Sequence, residues 1–222
     1  MLAILYDIHG NLPALEAVLA DAEAAGATEY LLGGDYSAYS PWPLETLERL
    51  RALPGATWIR GNGERWLREP PVDRPEVMEV MGAVDHGLGA EEGWLYSLQT
   101  QSELDGVLYV HGSPLSDVDS FAPEPEDDEE RMLVGVRDRA IVFGHSHQQF
   151  RRPGPNGTHL LNPGSVGMPL DGDTRAAWAV RADGEFEFRR TEYDVESAAA
   201  AFRALGGPFA EFAANRIERG SD

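Results

Sequence analysis

The 222-residue sequence contains no cysteine and no lysine. Without thiols there are no disulfides, no cysteine nucleophile and no sulfur-ligated zinc. Without lysine, Schiff-base chemistry, a Walker-type phosphate loop and the strand lysine of kinases are excluded. Cations as a whole are scarce: 38 Asp and Glu against 18 Arg leave a formal charge of −20. Such a balance repels polyanions and anionic lipid, so neither stable nucleic-acid binding nor membrane association is expected. It leaves room for a small anionic substrate. No run approaches the ~20 apolar residues that cross a bilayer. Met1 to Asp7 lacks the basic start and small-residue cleavage site of a signal peptide, and a cytoplasmic location is the expectation.

With 42% hydrophobic residues over this length, a core needs no staples, and one domain over 1–222 is expected. Short apolar runs alternate with helical patterns. Leu2 to Tyr6 reads as a strand, Leu12 to Ala25 as an amphipathic helix, and Tyr30 to Leu32 as a second strand. A helix from about Leu44 to Leu53 leads to a third strand, Thr57 to Ile59, a β-α-β-α-β start. The stretch from Glu64 to Leu98, helical but broken by prolines and glycines, reads as a cap or connector. Val107 to Val110 and Ala140 to Phe143 read as buried strands, and Thr158 to Leu161, Ala176 to Val180 and Glu185 to Arg190 as antiparallel ones. The tail from Val195 is helical in pattern, and the acidic run Glu124 to Glu130 reads as solvated surface or a helix start.

In a largely parallel α/β sheet, ligands gather at the carboxyl ends of strands. There this chain places Asp7 and His9, then Asp35, Asn62, His111, and finally His145 and His147. Four of its six histidines belong to this set. Seven donors are too many for one zinc and suit two metals sharing a carboxylate. If the segments are extended, Asp-x-His and His-x-His each aim two donors one way; the two rings of His145-Ser146-His147 can equally serve neighbouring metals. A nitrogen and oxygen set without sulfur suits Mn, Fe, Co, Ni or Zn.

Five ordered blocks carry a resemblance: Asp7-Ile8-His9, Gly34-Asp35, Gly61-Asn62-Gly63-Glu64, His111-Gly112 and Gly144-His145-Ser146-His147. In them the chain resembles the calcineurin-like metallophosphoesterases. It is most similar to the small bacterial and archaeal branch of YfcE type, through Gly10-Asn11, Tyr39-Ser40-Pro41-Trp42-Pro43, Asn162 to Gly167 and Tyr193-Asp194-Val195-Glu196.

The resemblance implies an α/β fold, the four-layered αββα sandwich. It implies two divalent transition-metal ions, manganese foremost, with iron, nickel, cobalt or zinc as alternatives. Asp7, His9 and His147 would hold one, and Asn62, His111 and His145 the other, with Asp35 between them and Asn62 and His111 acting in catalysis. The implied reaction is hydrolysis of a small phosphoester by a hydroxide bridging the metals; a homodimer is also implied. The rival is a non-catalytic scaffold of the same fold. One departure stands out, because where the family carries His, or Cys in some members, this chain has Gly63. Glu64 then has no histidine to orient and is expected to support the loop.

For substrate contact the candidates are Asn11, Arg60 and Tyr36, with Tyr39 and Trp42 as further wall residues. Asn11 has a competing role as a helix cap, and Arg60 as a surface ion pair. His86 and His159 lie outside every motif; His86, in the cap stretch, is a remote candidate for the absent acid. The Asn162 to Gly167 turn is read as architectural.

Overall fold

The computed structural model describes residues 1–75, 77–78 and 87–221. Strand β1 (Leu2–Leu5) runs parallel to β2 (Glu29–Leu32), and β2 parallel to β3 (Ala56–Trp58). Helices α1 (Leu12–Ala24) and α2 (Pro43–Arg51) make the crossovers. Helix α1 starts where the Asn11 side chain accepts the Ala14 N–H at 3.2 Å, and it buries Leu15, Val18, Leu19 and Ala22 on one face. On the other side β1 pairs antiparallel with β9 (Ala176–Ala182), and β9 with β10 (Glu185–Thr191). The first sheet therefore reads β10-β9-β1-β2-β3.

The second sheet reads β4-β5-β6-β8-β7, built from β4 (Gln101–Leu104), β5 (Val107–Val110), β6 (Ala140–Val142), β7 (Gln149–Pro153) and β8 (His159–Pro163). Strands β5, β6 and β8 are parallel, and the edges β4 and β7 are antiparallel to their neighbours. Here the structure corrects one expectation: the strand at 158–161, read as antiparallel, lies in the second sheet parallel to β6 and is antiparallel to β7 alone. An apolar run does not name its partner. The edge strand β7, Gln-Phe-Arg-Arg-Pro, lacks the pattern that reveals a strand.

The two-residue side-chain period assembles the layers. From β1, Ile4 points between the sheets, where it meets Leu31, Val107, Tyr109, Val142, Leu161 and Ala179. Ala3 and Leu5 point the other way, against Leu15, Val18 and Trp178. In β5, Leu108 and Val110 face a third cluster with Phe121, Met132 and Leu133. That outer layer holds only a short helix, α5 (Glu129–Met132), so the fourth layer is thin. Within the acidic run, Glu129 is buried and ion-paired with Arg152, which makes it part of that layer and not solvated surface.

On the outer face of the first sheet, Leu67 at the end of α3 (Asn62–Trp66) and Trp94 and Leu95 of α4 (Glu92–Tyr96) pack against the first core. His86, in the stretch read as a cap, lies outside the described residues. The chain ends in two helices, α6 (Val195–Ala204) and α7 (Gly207–Arg219), joined through Phe202, Ala213, Ala214 and Ile217 and seated on Met168. No helix of the described residues is long and apolar enough to cross a membrane.

Candidate metal centre

The carboxyl ends of β1, β2, β3, β5 and β6 lie along one edge of the sandwich, and the loops beyond them bring the seven donors together. The loops are tied backbone to backbone: Asp7 N–H donates to the Gly34 carbonyl (3.2 Å), and His9 N–H to the Asp35 carbonyl (2.9 Å). The Ser165 hydroxyl donates to the Asp7 carbonyl at 2.6 Å. Asn162 donates to the Gly144 carbonyl and to the Ser146 hydroxyl, so the Asn162 to Gly167 turn braces both histidine loops.

Five donors sit in the left-handed backbone region: Asp7 (φ 52°), His9 (49°), Asp35 (56°), His145 (65°) and His147 (58°). Each such residue costs on the order of 1–2 kcal/mol. Strain of this kind persists where surrounding structure imposes it, and it concentrates at functional sites. It also corrects the extended-segment argument for Asp-x-His and His-x-His. Their convergence comes from left-handed turns, not from the alternation of a strand.

Acceptor atoms face one another across the centre. His147 donates its Nδ1–H to the Met168 carbonyl (2.8 Å) and His111 its Nδ1–H to the Gly33 carbonyl (2.8 Å). Both Nε2 lone pairs therefore point inward. His147 Nε2 lies 3.0 Å from His9 Nε2 and 3.4 Å from Asp7 Oδ1. That Asp7 oxygen is fully buried and has no hydrogen-bond partner. On the other side the Asn62 amide lies 3.0 Å from His111 Nε2 and 2.8 Å from His145 Nδ1; its oxygen there faces acceptors only, whereas the amide turned over donates to both rings and to the Asp117 carbonyl. Asp35 stands between, with Oδ2 4.0 Å from His9 Nε2 and Oδ1 3.5 Å from His111 Nε2. An orphaned buried carboxylate oxygen is costly, and so are lone pairs turned on one another. A cation on either side satisfies them, so the residues fit divalent metal. Two such donor groups stand out, Asp7 with His9 and His147, and Asp7 with Asp35 and His111.

The protonation pattern follows from burial. Desolvation, reinforced by the His147 ring, pushes His9 down to about 3, and desolvation with the His111 ring does the same to His145. Desolvation raises Asp35 to about 7; Glu64 and Asp7 add to it and His111 opposes it. Burial works to lower His111, but Asp35 and Asp7 outweigh it and its pKa rises. For Asp7, burial works upward, yet the imidazoles of His147, His111 and His9 hold it well below the ordinary carboxylate range. Two ligands are thus neutral and ready, while Asp35 keeps its proton up to about pH 7.

A prediction follows for metal uptake. Below about pH 7 that proton must leave when metal binds, so affinity falls roughly tenfold per pH unit and one proton is released per chain. Between pH 7.5 and 8.5 the release disappears. Calorimetry in buffers of different ionisation enthalpy measures it.

Glu64 accepts the backbone N–H groups of Asp35 (2.9 Å), Tyr36 (2.8 Å) and Gly61 (2.9 Å). It is buried and holds the β2 and β3 loops in register, as its expected supporting role requires. The three substrate-contact candidates are committed to the fold. Tyr36 borders the cavity over the centre but is fully buried, with its hydroxyl directed at the Leu32 and Ile59 carbonyls, so its phenol oxygen is taken by the core. Arg60 is turned away: it donates to the Tyr96 carbonyl at 2.8 Å and lies 4.9 Å over the Tyr96 ring. Asn11 is fully buried, caps α1 and donates to the Gly167 carbonyl at 2.8 Å. Burial of each polar group against a backbone partner decides these cases. Trp42 packs against the C-terminal helices, whereas Tyr39 does line the cavity.

That cavity, about 680 Å³, opens directly onto His9, Asp35, Asn62, His145 and His147. Its wall includes Trp66, Arg74, Phe209, Phe212 and Arg216, none of which the motifs reveal. The last three sit on α7, 13, 16 and 20 residues past Glu196, where the final motif block ends. The only trace in the sequence is the helical spacing of that tail.

Two mixed sheets flanked by helices, with carboxylates, imidazoles and an amide gathered beyond their strand ends, define a metal-centred α/β sandwich. The chain belongs to the calcineurin-like phosphoesterase superfamily, whose domain model matches residues 1–184. A metallophosphoesterase from Sphaerobacter thermophilus is 26% identical, covers 99% of both chains and superposes with a TM-score of 0.76. A hypothetical protein, PH1004, from Pyrococcus horikoshii OT3 is 22% identical over 100% of both chains, with a TM-score of 0.80. The E. coli phosphoesterase YfcE, 20% identical with a TM-score of 0.50, covers 86% of this chain and 99% of its own.

Proposed function

We propose that the protein is a dinuclear metal-dependent phosphoesterase acting on small phosphate esters. The observation that carries this reading is the set of inward-facing acceptors around the orphaned Asp7 Oδ1. Asp7, His9 and His147 would hold one divalent ion, and Asn62, His111 and His145 the other, with the two Asp35 oxygens between them. Manganese is the metal to try first. When bound, two such ions supply Lewis-acid activation of water and neutralise phosphoryl oxygens. That local positive field reconciles a −20 chain with an anionic substrate.

The chain's own residues orient and shield. Met168 and Gly33 carbonyls fix the His147 and His111 tautomers, and Glu64 fixes the loop that presents Asn62. No side chain at Gly63 can protonate a leaving group. Among the described wall residues outside the donor set, Glu64 is spent on backbone amides. The Tyr39 phenol, pushed up to about 12 by burial, is a poor acid.

General acid catalysis is worth roughly 10²- to 10⁴-fold, so esters with good leaving groups are expected to be favoured over alkyl monoesters. Gly63→His should raise alkyl monoester turnover up to about 10²-fold. Its Cβ would lie 3.0 Å from Asp35 Oδ1, so metal affinity should fall somewhat, and the assay needs saturating metal. Equal wild-type rates on aryl and alkyl monoesters would contradict the leaving-group argument.

The test of the whole reading is chelation, metal reconstitution, elemental analysis and a screen of mono-, di- and cyclic phosphoesters. Two metals per chain with aryl diester hydrolysis support it. A protein that takes up no metal and is inert returns the non-catalytic scaffold.

A further inference from the structure

The cavity wall divides by origin. The seven donors all lie within the family-matched residues 1–184, but one side of the cavity is made by α7, which lies beyond them. Phe209 on α7 meets Tyr39 edge to face, centroids 6.3 Å apart at 81°, which ties the helix to the loop after β2. One turn on, Phe212 is 44% exposed, a large apolar ring left open at the mouth of a metal-ligand cluster. The Arg216 guanidinium is stacked 4.0 Å from the Phe212 ring centroid, and it lines the same cavity.

The chemistry of this wall is selective. Among the described lining residues outside the donor set there is no Ser, Thr, Gln or further Asn or Asp. The described wall offers two guanidinium groups, the Tyr39 phenol, an indole and otherwise aromatic or aliphatic surface, with Glu64 and the Tyr36 hydroxyl already occupied. A glycerol- or sugar-like ester arm placed here would give up hydrogen bonds to water and find few in return. A flat ring gives up none and gains contact with Phe209 and Phe212. In a chain at −20, the two charged side chains of the described wall besides the donors and Glu64, Arg74 and Arg216, are cationic.

We propose that α7 makes the site selective for phosphodiesters whose non-leaving arm carries an aromatic or heteroaromatic ring, the ring lying against Phe209 and Phe212 and the phosphoryl oxygens facing Arg216. This rests on the phosphoesterase reading above.

The test uses the metal-reconstituted full chain and two diesters with one leaving group, phenyl 4-nitrophenyl phosphate and methyl 4-nitrophenyl phosphate. Each kcat/KM is divided by that ester's uncatalysed rate, which removes intrinsic reactivity. Equilibrium binding of phenylphosphonate and methylphosphonate is measured in parallel. The wild type should favour the phenyl diester and the phenylphosphonate by about tenfold, the scale of one ring stacking contact. Phe212→Ala should cut that preference at least fivefold. Phe212→Leu, which keeps apolar bulk but no flat ring, should lose most of it, and serves if the alanine variant folds poorly. Arg216→Gln should raise KM for both diesters by a similar factor and leave the phenyl-to-methyl ratio in place.

No phenyl preference in the wild type, or equal losses on both diesters in both Phe212 variants, overturns the proposal. If neither diester is cleaved with metal bound, yet phenylphosphonate binds tenfold tighter and Phe212→Ala removes that margin, the wall stands and the hydrolase reading falls. Absence of both cleavage and preference overturns the two together.

Discussion

Asp7→Asn is expected to abolish activity by at least 10³-fold and to drop bound metal to one ion per chain or fewer. The loss follows from position. Asp7 Oδ1 is 3.4 Å from His147 Nε2 and 3.9 Å from both His9 Nε2 and His111 Nε2, so it belongs to both donor groups. Oδ2 accepts the His145 N–H at 2.9 Å, which leaves Oδ1 as the atom aimed at a cation.

Asparagine keeps the acceptor for His145 N–H, so the loop holds while the charge is lost. The fold gains nothing from the change: against the upward push of burial, the His147, His111 and His9 rings hold the Asp7 carboxyl well below its ordinary range, so the native state favours the carboxylate, and at pH 8 the metal-free variant should be no more stable than the wild type. Thermal melts in chelator at pH 8, with elemental analysis and a phosphodiester assay, check this. A variant that keeps two ions per chain would mean that Asp7 is not shared by the two donor groups.

The contrast between the donor set and the substrate-contact candidates shows what local sequence can carry. Asp7, His9, Asp35, Asn62, His111, His145 and His147 each lie within four residues of the end of a short apolar run, and strand ends in an α/β sheet share one edge. Their neighbourhood was therefore legible without coordinates. The backbone that brings Asp7 and His9 together was not, because left-handed residues leave no trace in periodicity. Tyr36 and Tyr39 are the same residue type three positions apart. Both border the cavity, but the Tyr36 hydroxyl is taken by the Leu32 and Ile59 carbonyls while Tyr39 stacks edge to face on Phe209, a choice made by packing. Arg60 was placed beside a motif, but the Tyr96 ring that captures it comes from a helix 36 residues later. The α7 wall is the clearest gap: its residues have no motif, and their approach to the site depends on how Ala213, Ala214 and Ile217 pack on Phe202 and Met168.

The same packing logic gives the second large effect, at a residue that binds nothing. Gly167→Ala is expected to destabilise the protein by several kcal/mol and to cost most of its metal binding. A Cβ at this position would lie 1.8 Å from the Ile8 carbonyl oxygen, 2.6 Å from its carbon and 3.1 Å from Asn11 Cβ. The obstacle is backbone, so no rotamer change relieves it, and the two loops must part. Parting them breaks the Gly167 N–H bond to the Asp7 carbonyl (3.1 Å) and the Asn11 side-chain bond to the Gly167 carbonyl (2.8 Å). The first of these holds the loop that carries Asp7 and His9. Overpacking in a rigid interior typically costs about 1–3 kcal/mol, and two lost buried hydrogen bonds add about 1 kcal/mol each. At this chain length the sum corresponds to a fall in melting temperature of roughly 10 °C.

Gly184→Ala is the control. Its φ is 84°, and nothing lies within 4 Å of the added methyl, so it bears only the left-handed backbone cost of about 1–2 kcal/mol and should keep wild-type metal stoichiometry. If the two variants lose stability equally and both retain metal, the close approach of the 162–167 turn to the Asp7 loop is not what positions the donors.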